Sequence, residues 1–332
     1  MPTIALKDEN EWLAIRDSHI GGSEIAALFT RYALRGSTVT LHAFEPIPDG
    51  ASPLGSCSPY TSAYKVWLTK AGKVMPEGWN PSERMNAGTY LEPALAQWAQ
   101  AKWGWRLRKV RRYHQHDAIQ GWGSSLDYEV HGPGLDPVEF KNIDGLIAKR
   151  DWVIEGDEIL VAPLHIQLQV QHYLGARNAK RAWIVACVGG NQLVRGEFAR
   201  HEPTIARIAE AIAAFWASVA ADAPPEHAAT YDAVADQFAF GDALAPPADL
   251  NEDDEAAMLA RRYLRIKQHS EFTEAALANV KGRLALKIGE ATKARGDGFR
   301  VSWPVIERAE KTIPARLQTA KTYRGGFTVT AI

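Results

Sequence analysis

Two short segments set acids and an amine at spacings suited to phosphodiester hydrolysis: Ser124-Ser125-Leu126-Asp127-Tyr128-Glu129 and Val138-Glu139-Phe140-Lys141. Both read as β-strands. Alternate side chains of a strand share a face, so Glu139 and Lys141 point one way and Phe140 the other. Gly132, Pro133, Gly134 and Pro137 between the segments are hairpin punctuation. They predict antiparallel neighbours, with Asp127 and Glu139 meeting across the pair. Two carboxylates on one face repel unless a cation lies between them. Hard oxygen ligands suit Mg²⁺ or Mn²⁺. Such an ion polarises a phosphoryl oxygen and acidifies a bound water. The Lys141 ammonium beside it can orient that water and offset charge gathering on the phosphate. The plainer alternative is a surface hairpin with one salt bridge, and Asp followed at a distance by Glu-x-Lys is common enough alone to favour it.

Further residues bear on that choice. Glu92, in Gly88-Thr89-Tyr90-Leu91-Glu92-Pro93, adjoins an apolar stripe formed by Leu91, Leu95 and Trp98. At that border it can reach the sheet as another oxygen ligand, or face solvent. Gln169 lies one helical turn from Tyr173 and can share its face. An amide there can hydrogen-bond water, phosphate or a carboxylate; a Gln-rich helix is also simply polar surface. Lys102, Arg106, Arg108, Lys109, Arg111 and Arg112 form a basic cluster, either a nucleic-acid contact or a solvated strand.

The elements that must hold these residues read as a mixed α/β core. Residues 9–30 are helical, with Gly21-Gly22 interrupting the apolar positions Leu13, Ile20 and Ile25–Leu28. Residues 33–60 are rich in Gly, Ser and Pro without periodicity, which predicts a loop or insertion. A short helix over 61–72 ends at Gly72, and a longer one covers 82–103. Strands follow over 105–113, 124–131 and 136–143. Then come a helix over Leu164–Gly175, strands Ala182–Val188 and Gln192–Ala199, and a helix over Pro203–Ala221. The expected domains are a core over 1–222, a linker over 223–250 rich in Ala, Asp and Pro, and a C-terminal arm over 251–332. Residues 251–293 lack proline and predict a long helix or helical hairpin, with Asn251, Asp253 and Asp254 available as caps. Its apolar side, Ala257, Leu259, Tyr263 and Ile266, is expected to be buried. A small β element is expected around Phe299–Trp303 and Phe327–Val329.

Bulk properties narrow the setting. The 332 residues suffice for one large domain or a core plus an appendage. The net charge of −1 does not announce a nucleic-acid binder, but distribution matters more than the sum. No stretch approaches the ~20 apolar residues that span a bilayer, and residues 1–11 lack a signal pattern. A cytosolic protein without membrane attachment is expected. Cys57 and Cys187 fit no disulfide or metal framework, which excludes a Cys-ligated iron–sulfur or zinc site within this chain.

The ordered motifs resemble those of the YqaJ-like phage recombinases, relatives of the lambda-type exonuclease within the PD-(D/E)XK nuclease superfamily. Arg16…Ile20-Gly21-Gly22-Ser23-Glu24-Ile25-Ala26 looks like the N-terminal signature, and Tyr64-Lys65-Val66-Trp67-Leu68-Thr69-Lys70-Ala71-Gly72 like the next element. Gly88-x-x-Leu91-Glu92-Pro93 resembles the acidic helix. Ser125-Leu126-Asp127 and Glu139-Phe140-Lys141 resemble the split metal motif. Pro163 with Gln169-Val170-Gln171-His172-Tyr173-Leu174 resembles the closing helix. The resemblance runs over about residues 12–200, and its strength is the order of the set rather than any one motif.

The resemblance implies a restriction-endonuclease-like core, a mixed central sheet flanked by helices, with a C-terminal helical plus small β appendage. It implies a Mg²⁺-dependent exonuclease, 5′-to-3′ on linear duplex DNA, serving phage-type recombination by single-strand annealing. Glu92, Asp127, Glu139 and the Phe140 carbonyl would hold one or two Mg²⁺ ions, with Mn²⁺ able to substitute. Lys141 would assist the attacking water, and Gln169 would support the site, with Gln171 as a further candidate. Arg16 and Ser23 would receive the DNA 5′-phosphate, a task suited to a guanidinium and a hydroxyl. Otherwise Arg16 pairs with Asp17 or Glu24, and Ser23 caps a helix over Glu24–Phe29; a cap and an anion site are compatible. Implied partners are double-stranded DNA ends, a single-strand annealing protein and, by fold analogy, further copies in a homo-oligomer, commonly a trimer. The implied location is the cytoplasm of a bacterial host. The sequence departs from the family at Tyr128, where Gly is frequent, at Asn142, where Thr or Ser is common, and in the length of 33–60. A non-catalytic DNA-binding scaffold and an endonuclease or RecB-like repair nuclease are the alternatives. The presence of all three acids and the lysine favours an enzyme.

Overall fold

The computed structural model describes residues 3–5, 9–74, 82–132, 134–230, 233–234, 252–288, 293–296 and 299–302. The chain divides into two compact units, Met1–Gln237 and Phe238–Ile332. The first begins with β1 (Thr3–Ala5), α1 (Glu9–Asp17) and a 3₁₀ turn over Ile25–Leu28, then β2 (Phe29–Leu34), β3 (Ser37–His42) and β4 (Ser52–Ser56). Next come α2 (Ala63–Lys70), α3 (Glu83–Trp103), β5 (Leu107–Lys109), β6 (Arg112–Gln115), β7 (Gly123–Ser125), β8 (Tyr128–Val130) and β9 (Pro137–Ile143). The unit continues with α4 (Gly145–Asp151), β10 (Val153–Glu155), β11 (Glu158–Val161), α5 (Leu164–Arg177), β12 (Arg181–Val188), β13 (Gln192–Ala199) and α6 (Glu202–Ala220).

A seven-stranded sheet in the order β10-β11-β13-β12-β9-β8-β5 forms the centre. It is mixed: β12 runs parallel to β9 and antiparallel to β13, and β8 is antiparallel to both β9 and β5. Strand β12 explains the layering. Its Ala182, Ile184 and Ala186 enter one apolar cluster with Val170 and Leu174 of α5 and Ile208 and Ile212 of α6. Its Val185 and Cys187 enter a second cluster with Leu95, Ala96 and Ala99 of α3. A strand buried on both faces needs apolar residues at every step, which this one has from Ala182 to Val188. The sheet is thus flanked by helices, as the resemblance implied.

Helix α3 is bounded by local chemistry. The Ser82 hydroxyl accepts the Met85 N–H, and Gly104 at φ +68° closes the other end. Its buried face is shifted from the expected stripe. Leu91 and Trp98 are exposed, and Leu95, Ala96 and Ala99 make the contact. The alanines admit the helix close to the sheet, and Glu92 lies on this same face, three and four residues before Leu95 and Ala96.

Residues 33–60 are not a bare loop. Strands β2, β3 and β4 form a small antiparallel sheet in the order β3-β2-β4. The β2–β3 turn places Arg35 at φ +49° and Gly36 at +81°. Two consecutive left-handed residues make the tight turn whose twist matches paired strands. The expected strands 105–113 and 124–131 are each broken in two. Strands β5 and β8 join the large sheet, whereas β6 sits between β1 and β7 in a third sheet. Helix α4, capped by Asp144 on the Leu146 N–H at 2.7 Å, and the β10–β11 hairpin were not anticipated from the sequence.

In the second unit, α7 (Asp254–Ile288) is one long helix, and β14 (Lys293–Gly296) pairs antiparallel with β15 (Phe299–Ser302). Asp253 caps α7, its Oδ1 accepting the Ala256 N–H at 2.8 Å. The expected burial of its apolar side is not seen at Leu259 and Ile266, which are exposed. Asn251, Phe327–Val329 and most of the proposed linker lie outside the described residues. Among the described residues no helix is long and apolar enough to cross a membrane.

Candidate active site

Asp127 sits at the break between β7 and β8, just off the strand. The β8–β9 register pairs Tyr128 with Val138, so the next step along brings Asp127 beside Glu139. Two backbone bonds fix it: the Asp127 carbonyl accepts the Val110 N–H at 3.1 Å, and its Oδ2 accepts the Phe140 N–H at 3.1 Å. On β9, Val138 and Phe140 pack into the α3 cluster. Alternation therefore turns Glu139 and Lys141 toward α5.

There α5 supplies Gln169 and Tyr173, one turn apart. Glu139 Oε1 receives the Lys141 ammonium at 2.6 Å and the Gln169 amide N–H at 2.8 Å. The same amide nitrogen donates to the Tyr173 hydroxyl at 2.5 Å, and Gln169 Oε1 accepts from Lys141 at 3.2 Å. Glu139 is 4% exposed, and its Oε2 is buried without a hydrogen-bond partner. Burial, then the charges of Glu139 and Glu92, hold the Asp127 carboxyl well above the usual carboxylate range. Burial opposes the charge on Lys141, but Glu139 and Asp127 outweigh it and raise its pKa. Burial, with the same two carboxylates, raises the Tyr173 phenol. An unpaired buried carboxylate oxygen with a second, half-buried carboxyl close by is costly in any protein that keeps it. Hard oxygen donors with excess negative charge fit a divalent cation.

Glu92 stands apart from this pair. Its Oε1 is bonded to the Lys109 ammonium at 3.0 Å, on the edge strand β5. It is delivered from α3, on the opposite face of the sheet from α5. Among the described residues no three His, Cys, Asp or Glu side chains are gathered as a ready metal-ligand group. The Asp127–Glu139 pair fits a cation as it stands; Glu92 does so only on leaving Lys109.

The remaining candidates fall elsewhere. Arg16 pairs with Glu24 at 3.5 Å and stacks over Trp12 at 4.5 Å. Glu24 also takes Lys70 at 3.0 Å and the Gly21 N–H at 2.9 Å. Ser23 is exposed, and the short 3₁₀ turn is preceded by Glu24 without a side-chain cap. Gln171 faces away from Glu139: its amide donates to the Ala199 carbonyl at 2.8 Å and accepts from the His201 N–H at 2.9 Å. The N-terminal segment nonetheless docks on α5. A Cβ at Gly22 would lie 2.3 Å from the Tyr173 ring, so only glycine fits there. His172 Nε2 bonds the Ile20 carbonyl at 3.0 Å. Tyr173, Lys70 and Lys109 went unassigned from sequence. For Tyr173 the i, i+4 spacing to Gln169 was the available signal; Lys70 stood only within the Tyr64–Gly72 motif and Lys109 only within the basic cluster, neither with a part in the site.

Residues 48–180 match the family model of the YqaJ-like viral recombinase domain. That span is about two fifths of the chain, and it is what the chain is similar to. Glu92, Asp127, Glu139, Lys141, Gln169 and Tyr173 all lie inside the matched span, whereas Arg16 and Ser23 precede it. The uncharacterized protein YqaJ of Bacillus subtilis (strain 168) is 26% identical over 209 residues, 62% of this chain and 55% of that protein. The alignment thus spans little more than half of that relative. An alkaline exonuclease (LHK-Exo) from Laribacter hongkongensis superposes with a TM-score of 0.46 at 17% identity, covering 66% of this chain and 95% of that one. A phage related exonuclease from Haemophilus somnus 129PT gives 0.40 at 10% identity, covering 60% and 93%. Within the matched span, β9 and α5 hold the amine, the amide and one acid in direct contact.

Proposed function

We propose that this YqaJ-like domain is a divalent-cation-dependent exonuclease that digests linear duplex DNA from the 5′ end. The observation that carries the reading is the lopsided Glu139 carboxylate. One oxygen is fixed by Lys141 and Gln169, and the other is buried and unpaired, while Asp127 lies across from Glu139 on the neighbouring chain segment. Asp127 and Glu139, with the Phe140 carbonyl and Glu92, would hold Mg²⁺ or Mn²⁺. When bound, the ion supplies polarisation of the phosphoryl oxygen and a more acidic water. Lys141 holds its ammonium against Glu139, where it orients the attacking water and offsets charge growing on the phosphate. Gln169 fixes the Glu139 rotamer from α5 and is itself held by Tyr173. Arg16 and Ser23 receive the 5′-phosphate, Arg16 exchanging Glu24 for the dianion. By the same reading the enzyme acts as a homo-oligomer in the bacterial cytoplasm and passes a 3′ strand to a single-strand annealing protein.

The test is digestion of linear duplex DNA bearing a 5′-phosphate or a 5′-hydroxyl, alongside closed circles, in Mg²⁺ and in chelator. Linear phosphorylated ends should be consumed only with the cation, circles should survive, and Glu139→Gln should be inactive. Full activity of Glu139→Gln would overturn the site. Cleavage of circles at the linear rate would replace the exonuclease with an endonuclease.

A further inference from the structure

Lys109 is a cation already seated on one of the proposed metal ligands. Its ammonium lies 3.0 Å from Glu92 Oε1 and 5.8 Å from the centre of the Tyr128 ring. The β5–β8 register sets Lys109 directly opposite Tyr128, and the next residue's N–H, that of Val110, bonds the Asp127 carbonyl. The lysine is thus carried on the same backbone that fixes Asp127. Tyr128 is buried, so its ring is a fixed floor for the ammonium. Lys109 is half exposed and Glu92 is 20% exposed. An ion pair this open to solvent is weak enough to exchange.

We infer that Lys109 is a positioning residue that holds Glu92 away from the Asp127–Glu139 pair until a divalent cation draws it in. The inference rests on the metal-dependent reading above. It accounts for three acids that influence one another electrostatically yet are not gathered as a ligand group. Cation binding then requires Glu92 to leave Lys109, so the ion pair competes with the ion and lowers its affinity. The freed ammonium stands half exposed on the edge strand, where a DNA backbone could meet it.

The experiment is calorimetric titration of Mn²⁺ into the full chain without DNA, for wild type, Lys109→Met, Glu92→Gln, the double variant and Asp127→Asn. Lys109→Met should bind Mn²⁺ about two- to fivefold more tightly, the size of a half-exposed ion pair. The gain should vanish when Glu92→Gln is the background, because Lys109 acts through Glu92. Unchanged affinity in Lys109→Met overturns the inference, and so does an equal gain in the Glu92→Gln background, which would mean simple charge repulsion. Loss of binding in Asp127→Asn with wild-type affinity in Lys109→Met sinks this inference and leaves the nuclease site standing. Wild type and Asp127→Asn titrating alike would sink both.

Discussion

The Glu139 and Arg16 clusters are both small knots of charge, and they are unbalanced in opposite senses. At Glu24 one carboxylate meets two cations, Arg16 and Lys70, and the Gly21 N–H fills its second oxygen. At Glu139 two acids share one ammonium, and one oxygen has no partner. The first arrangement has a positive charge to spare and suits an anion; the second has a negative charge to spare and suits a cation. Charge type alone did not separate them in the sequence, since each segment contains both signs. The difference arises from who meets whom across the fold.

Removing the shared amine tests the second cluster most severely. Lys141→Ala should slow DNA cleavage about a hundredfold to a thousandfold. Binding of duplex DNA, measured by gel shift in chelator, should be spared; full retained cleavage would refute the assignment. The next test strikes the joint between the clusters. Gly22→Ala drives a Cβ into the Tyr173 ring, 2.3 Å away. It should cost about 1–3 kcal/mol in urea denaturation. An unchanged midpoint would mean that the two regions are not pressed together at that point.

The same joint carries a pH signature. Burial holds the His172 imidazole down at about 3, although the Ile20 carbonyl partly opposes this. An unfolded histidine titrates near 6.5, so between those values the unfolded chain binds the extra proton. Stability is therefore complete above about pH 6.5 and lost as the pH falls toward 3. Between pH 7 and 5 the wild type should lose about 2 kcal/mol more than His172→Gln. Equal losses in the two proteins would show that this histidine is not held neutral. The smallest expected effect belongs to the positive cluster. Arg16→Ala should reduce the preference for 5′-phosphorylated over 5′-hydroxyl ends by about tenfold, the worth of a charge-assisted hydrogen bond. A preference that survives intact would move the phosphate pocket elsewhere.

Much of the frame was legible because it depends on local periodicity and punctuation. The alternation of Val138, Glu139, Phe140 and Lys141 sets an acid and an amine on one side of β9. Ser82 and Gly104 mark the ends of α3 without help from the rest of the chain. What escaped depends on partners distant in sequence. Asp127 occupies a break because its neighbours β7 and β8 belong to different sheets, a division no local pattern announces. Leu91 and Trp98 looked buried by spacing, but the alanines of α3 permit a closer approach on a rotated face. Glu129 is 2% exposed between Arg108 and Arg177, a triad drawn from β5, β8 and α5 and invisible in linear order. The strands within 33–60 were hidden by composition, since Gly, Ser and Pro masked the alternating Ser37–His42 segment.

The bond from His172 to the Ile20 carbonyl spans 152 positions. Closing so large a loop is entropically late in folding. Strand β9 must also wait for β12, its parallel neighbour, which begins at Arg181. A ribosome therefore releases more than half of this chain before Glu139, Lys141 and Gln169 can be held together by the finished sheet.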